Sequence, residues 1–213
     1  MARSVSRRGA RAMRGLDQIG PDTSARRPAG SAASLRRVRI EADSVIPFPR
    51  DVVFRAYRDD LVKTVEFLPN VRAIEVVSRH DEGGITKLHN VWRGGGDVPS
   101  ALRAFVDEKL LAWDDFATWN EAEHGCEWSI QTHAFTEAVS CKGRTKMIPV
   151  GEGKTRVELA GDFAIDGKKL KGIPSLVAGT VGRAVEGFLA KQITANLGST
   201  TEALSRYLAR KSA

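Results

Sequence analysis

The sequence predicts an α+β domain, with an antiparallel sheet of about seven strands followed by one long C-terminal helix. Two observations carry this. Short segments between Val38 and Ile165 alternate apolar and polar residues with a period of two, and most are separated by Gly- or Asp-containing turns. From about Pro174 to Arg210 the apolar period changes to three or four residues and no further proline occurs. A period of two places alternate side chains on opposite faces of a strand, whereas a period near 3.6 lines one face of a helix.

The elements follow in order. "VRIEADSV" alternates strictly, with Val38, Ile40 and Ala42 on one face and Arg39, Glu41 and Asp43 on the other. This is a half-buried strand. In "IPFPRDVVFRAYRDDLVKTVEFLPN", Pro49 suits a helix start and Pro69 a stop. Val52, Val53, Tyr57, Leu61, Val65 and Leu68 recur at helical spacing, so one or two short helices are expected. "VRAIEVVSRH" and "ITKLHNVWR" flank Asp81-Glu82-Gly83-Gly84, a hairpin signature. Gly94-Gly95-Gly96-Asp97 breaks the chain, and "VPSALRAFVDEK" is expected to form a short helix or lid-like segment. "LLAWDDFATW", "CEWSIQTH", "VSCKGRTKM" and "TRVELAGDFAI" read as the next four strands of a meander with one wet face. The final helix, about 35 residues and about 50 Å long at 1.5 Å per residue, is amphipathic. Its glycines, Gly179, Gly182, Gly187 and Gly198, are poor helix formers. They are expected to mark a close approach, a kink or a pocket.

Composition sets the outer limits. A hydrophobic fraction of 42% over 213 residues is enough for one core, and no apolar run is long enough to cross a membrane. Cys126 and Cys141 are far apart and lack metal-ligand spacing, which fits a reducing, cytoplasmic setting. The net charge of +7 belongs to the first 37 residues, which hold nine arginines and two acids, leaving 24 basic and 24 acidic residues in the rest. A nucleic-acid-binding domain would carry its charge on the folded part, so no nucleic-acid partner is expected. Residues 1–37 contain no aromatic residue and are expected to be a disordered tail ahead of a domain at 38–213. An Arg-rich, acid-poor segment also suits an organelle transit peptide or an overextended reading frame. Its charge would add weak attraction to anionic membrane surfaces.

The order strand, helices, meander, long helix is the helix-grip arrangement. On "IPFPRDVVFRAYRDD" and "GIPSLVAGTVGRAVEGFLAKQITANLGSTTEALSRYL", residues 38–210 resemble the superfamily of START lipid-transfer domains, polyketide cyclases and birch-pollen-type allergens (SRPBCC). "WRGGGDVPSALRAFV" followed by "AWDDFATW" looks like bacterial START-like proteins of unassigned function. It is similar, more weakly, to the mitochondrial phospholipid-shuttling branch. The resemblance implies a sheet curved around the last helix with a cavity between them. It implies no activity, because the superfamily shares no catalytic signature.

Chemical motifs are sparse. His80, His89, His124 and His133 show no metal-ligand spacing, and neither HExxH nor CxxC occurs, so neither metal nor cofactor is expected. The glycines at 94–96 lack the Lys-Ser/Thr of a phosphate loop. The long helix's apolar stripe suits packing on the sheet better than a membrane surface, given its place after the meander.

The informative stretch is "LLAWDDFATW". Trp113, Asp115 and Trp119 share one face, and Asp114, Phe116 and Thr118 the other. Neither face is cleanly apolar, which predicts a strand buried in part on both sides or a bulge at the acids. If the Trp face is concave, Asp115 points into an apolar cavity. There desolvation would raise its pKa, unless Arg103 or Lys109 reaches it, and such an acid would bind a polar head group or act as a general base. The alternative is an exposed strand end with no functional acid.

The expectation is therefore a protein that binds a hydrophobic small molecule or lipid for sequestration or transfer. A cyclase- or dehydratase-type enzyme with Asp115 as acid/base is the second reading, and an interaction domain without ligand the third. The predicted wall comprises Trp113, Asp115, Trp119, Trp128, Ile130, Cys141, Thr145, Met147, Leu159 and Phe163 from the sheet, with Val177, Val181, Ala184 and Phe188 from the helix.

Overall fold

In this computed structural model the described residues are 36–95, 111–166, 169 and 178–213. They belong to the second of the two units into which the chain divides, residues 33–213. The Arg-rich segment up to residue 35, the expected lid-like segment within 96–110 and the expected helix start near Pro174 lie outside them.

The first strand, β1, runs from Arg36 to Ile46. It begins two residues earlier than the alternation predicts, because Arg36 and Arg37 pair with Ile165 and Ala164 of the last strand. Helix α1 (Arg50–Asp59) starts after Pro49, as a residue with fixed φ and no amide donor favours. It buries Val53, Phe54, Ala56 and Tyr57, the face at spacings of three and four. A 3₁₀ helix (Leu61–Phe67) completes the crossover.

The chain then returns as a meander: β2 (Val71–Glu82), β3 (Ile85–Gly94), β4 (Ala112–Asn120), β5 (Gly125–Thr132), β6 (Val139–Pro149) and β7 (Thr155–Ile165). All neighbours are antiparallel in the order β1-β7-β6-β5-β4-β3-β2, and the seven-stranded sheet is curved. The β2–β3 turn needs two residues in the left-handed region, and Gly83 (φ 56°) and Gly84 (φ 82°) supply them. β2 is one free edge. A register shift at Val77 leaves both Val76 and Val77 exposed and interrupts the edge that another chain could pair with.

Helix α2 (Ala178–Lys211) packs against β1, α1 and the 3₁₀ helix. Its C-terminal part is the firm contact, since Ala203 and Leu204 are fully buried with Tyr207 and Leu208 beside them. Burying a leucine contributes about 2 kcal/mol. Asp60, at the end of α1, secures the helix end. It accepts hydrogen bonds from Tyr207 Oη (2.9 Å), Lys211 Nζ (3.1 Å) and Lys63 Nζ (2.7 Å). Burial alone would push the Asp60 carboxyl up, but these three donors outweigh it and hold the group below its ordinary value.

The expectation that the helix glycines mark close contacts does not hold at Gly187 and Gly198. A Cβ at either would meet nothing within 4 Å. Both sit on the exposed side, where glycine only weakens the helix. Gly187→Ala is therefore expected to stabilise the fold by about 0.5–1 kcal/mol, read as a higher urea midpoint with an unchanged slope. A loss would show that this side of α2 is covered.

Candidate ligand cavity

The strand register decides which acid matters. β4 pairs continuously with β3 and β5, with no register shift at Asp114 or Asp115, so the predicted bulge is absent. Alternation then sends Trp113, Asp115, Ala117 and Trp119 to one side, and all four line a cavity under α2. Asn90 and Trp92 of β3, Trp128, Ile130 and Thr132 of β5, Thr145 of β6 and Leu159 of β7 join the wall. Tyr57 of α1 and Val185, Phe188, Gln192, Ile193, Asn196 and Thr200 of α2 close it from the other side. The cavity holds about 110 Å³. All four tryptophans of the chain line it.

Asp115 stands opposite Asn90 on one neighbouring strand and Ile130 on the other. Asn90 Nδ2 donates to Asp115 Oδ2 at 3.1 Å. Removal from water pushes the Asp115 carboxyl up to about 6, and this outweighs the help of Asn90 and the Trp92 indole. The indole helps from nearby without reaching hydrogen-bond geometry, since Trp92 Nε1 has no partner among the described residues. Three other buried polar atoms on the wall are in the same condition: Trp119 Nε1, Thr132 Oγ1 and Asn196 Oδ1. Buried polar atoms are nearly always paired, so a cluster of unpaired ones on one apolar wall calls for partners beyond the described residues.

The aromatic floor is ordered. Trp119 meets Phe54 and Tyr57 edge-on at 5.5 and 5.2 Å, and Trp92 stacks on Trp113 at 5.7 Å. Trp128 lies across two glycines of adjacent strands. A Cβ on Gly143 or Gly161 would come within 2.4 Å or 2.6 Å of its ring, so only hydrogen at these positions leaves room. The Trp128 indole N–H donates to Thr145 Oγ1 at 3.2 Å.

Several predicted residues lie elsewhere. Cys141, Met147 and Phe163 are buried in the hydrophobic core and do not line the cavity. Residues on the inward face of a curved sheet divide between core and cavity, and alternation cannot separate the two. Ala184 is exposed, because the helix turns a different stripe inward, through Val185, Phe188 and Ile193. Val177 and the side chain of Val181 lie outside the described residues, as do Arg103 and Lys109. Sequence reasoning missed Tyr57, Asn90, Trp92 and the polar Gln192, Asn196 and Thr200. For Asn90 and Trp92 the signal was present, since they share parity with buried Leu88 in "LHNVWR".

Burial keeps both cysteines in the thiol form. It pushes both groups up, Cys141 to about 12, with the Asp115 charge adding to the effect, so both stay protonated near neutrality. Among the described residues no group of three or more His, Cys, Asp or Glu is arranged to hold a metal ion. On the opposite face Asp114 accepts from His89 (2.6 Å) and His133 (2.8 Å). Burial would raise the Asp114 carboxyl, but the two imidazoles outweigh it and hold it below its usual value. No helix among the described residues is long and apolar enough to cross a membrane.

No protein-family model and no curated sequence matches this chain. Solved structures do. TTHA0849 from Thermus thermophilus superposes with a TM-score of 0.58 at 20% identity, over 83% of this chain and 100% of its own. The Zhui aromatase/cyclase from Streptomyces sp. R1128 gives 0.54 at 13% identity, over 81% and 96%. Norcoclaurine synthase from Thalictrum flavum gives 0.52 at 13%, over 92% and 98%. At such identities the likeness is one of fold. With a curved antiparallel sheet, a long C-terminal helix and these superpositions, the chain has the helix-grip fold.

Proposed function

We propose that the protein binds one small hydrophobic molecule in the cavity between sheet and α2, and acts by sequestering or transferring it. The observation that carries this reading is an apolar, Trp-lined cavity whose wall holds Asp115 and four buried polar atoms unpaired among the described residues. Apolar burial supplies affinity, at about 25 cal/mol per Å², and the few polar atoms orient the guest. Volume narrows the guest further. An engineered apolar cavity of about 150 Å³ holds one benzene. A space of about 110 Å³ thus favours a single ring or short chain over a whole two-tailed lipid.

Because all four tryptophans line the cavity, their emission reports on occupancy. Native mass spectrometry of the purified protein, with a fluorescence titration across ring-sized and lipid hydrophobes, is expected to reveal one guest per chain and saturable quenching. A chain that remains empty, with no quenching and no thermal shift across the panel, overturns the reading.

A second reading rests on the Asp115 proton affinity. A carboxyl brought to about 6 is suited to exchange protons near neutrality, as a general acid or base in a cyclase or dehydratase would. Under it, Asp115→Asn abolishes turnover of a bound substrate while leaving its affinity intact. Turnover that survives the substitution removes the second reading.

A further inference from the structure

Resting on the ligand-binding reading, we propose that the guest carries a basic nitrogen, and that its ammonium group pairs with the Asp115 carboxylate beside the Trp92 and Trp113 rings. Among the described residues that line the cavity, Asp115 is the one bearing a formal charge. Its described hydrogen-bond donor is a neutral amide, Asn90, and no described Lys or Arg pairs with it. A carboxylate has about four acceptor positions across its two oxygens, so one amide leaves most of them open. A buried negative charge without a cation is costly, and a cationic guest would relieve that cost.

The surroundings fit the same guest. Faces of Trp rings carry negative quadrupole charge and attract organic cations, and Trp92, Trp113, Trp119 and Trp128 all line the cavity with Asp115. A second acceptor comes from the helix side. Asn196 Oδ1 is buried, lines the same cavity and has no partner among the described residues. An ammonium group brings three N–H donors. A phosphate or carboxylate guest is disfavoured, because it would face Asp115 with like charge and find no described basic side chain on the wall.

The experiment compares two probes of equal size, 2-phenylethylamine and 2-phenylethanol, by Trp quenching and calorimetry at pH 7.5 on the full chain. The amine is expected to bind at least about tenfold tighter, the equivalent of one charge-assisted contact. In Asp115→Asn that advantage should vanish, whatever change the alcohol's own affinity shows. Equal binding of the two probes, a tighter alcohol, or an amine preference that survives in Asp115→Asn overturns the inference and leaves hydrophobe binding standing. The wild-type comparison needs no variant, so a misfolded substitution would not blunt the test. Binding of neither probe also overturns it, and the hydrophobe panel above then decides whether the cavity reading falls as well.

Discussion

Asp115→Asn is expected to raise the melting temperature at pH 8 and to leave it nearly unchanged at pH 4. In the folded chain the carboxyl titrates at about 6, against 3.8 when exposed, because burial disfavours its charged form. Between these values the folded state holds a proton that the unfolded state has released. Stability therefore falls as pH rises through the window from about 4 to about 6, and the full penalty persists above it. A shift of about two units corresponds to roughly 3 kcal/mol as an upper figure. For a chain of this size, that is a gain of at most about 6–12 °C at pH 8 when the charge is removed. The amide can still accept from Asn90, so the local hydrogen bond survives. Melting curves at the two pH values check this. An equal gain at both would show that the gain does not come from the charge, and a loss at pH 8 would show that a cation compensates Asp115. The same substitution that stabilises the empty fold is expected to weaken an amine guest, the trade-off of a site that holds an unneutralised charge.

Gly143→Ala is expected to destabilise the protein by about 1–3 kcal/mol, although alanine is ordinarily the better residue in place of a strand glycine. A Cβ there would stand 2.4 Å from the Ala160 carbonyl oxygen and 2.4 Å from the Trp128 ring. The first contact is backbone and cannot swing away. The second displaces Trp128 from Thr145 and moves a wall of the cavity. Urea unfolding and Trp emission test both consequences together. A neutral or stabilising effect, with unchanged emission, would mean that Trp128 does not lie across the glycines. The contrast with Gly187→Ala is direct. One glycine makes room for a ring and the other makes room for nothing, and only the neighbours distinguish them.

Much of the architecture was legible in local patterns. The alternation at Val38, Ile40 and Ala42 predicted β1, and the Gly83-Gly84 pair predicted the β2–β3 turn, because strand faces and turn dihedrals depend on adjacent residues alone. Parity also singled out Asp115 from Asp114. Parity did not separate cavity wall from packed core, and so Cys141, Met147 and Phe163 were assigned to the cavity on the same footing as Thr145 and Leu159. Their depth depends on how the sheet curves and on where α2 crosses it. The helix face was harder still. Gln192, Asn196 and Thr200 are polar, so an apolar-stripe argument passes over them, yet they face the cavity.

For this protein the sequence by itself determined the order of elements, their face parity and the helix-grip expectation, since these follow from periodicities within each segment. Only the tertiary structure decided that the Trp113–Asp115–Trp119 face is the cavity face. Only it showed that Asn90, Trp92 and Tyr57 surround that acid, and that Gly143 and Gly161 seat Trp128. The proton affinity of Asp115 belongs to this second class. It is set by water excluded by residues that lie far apart in the chain and meet only when the sheet closes around α2.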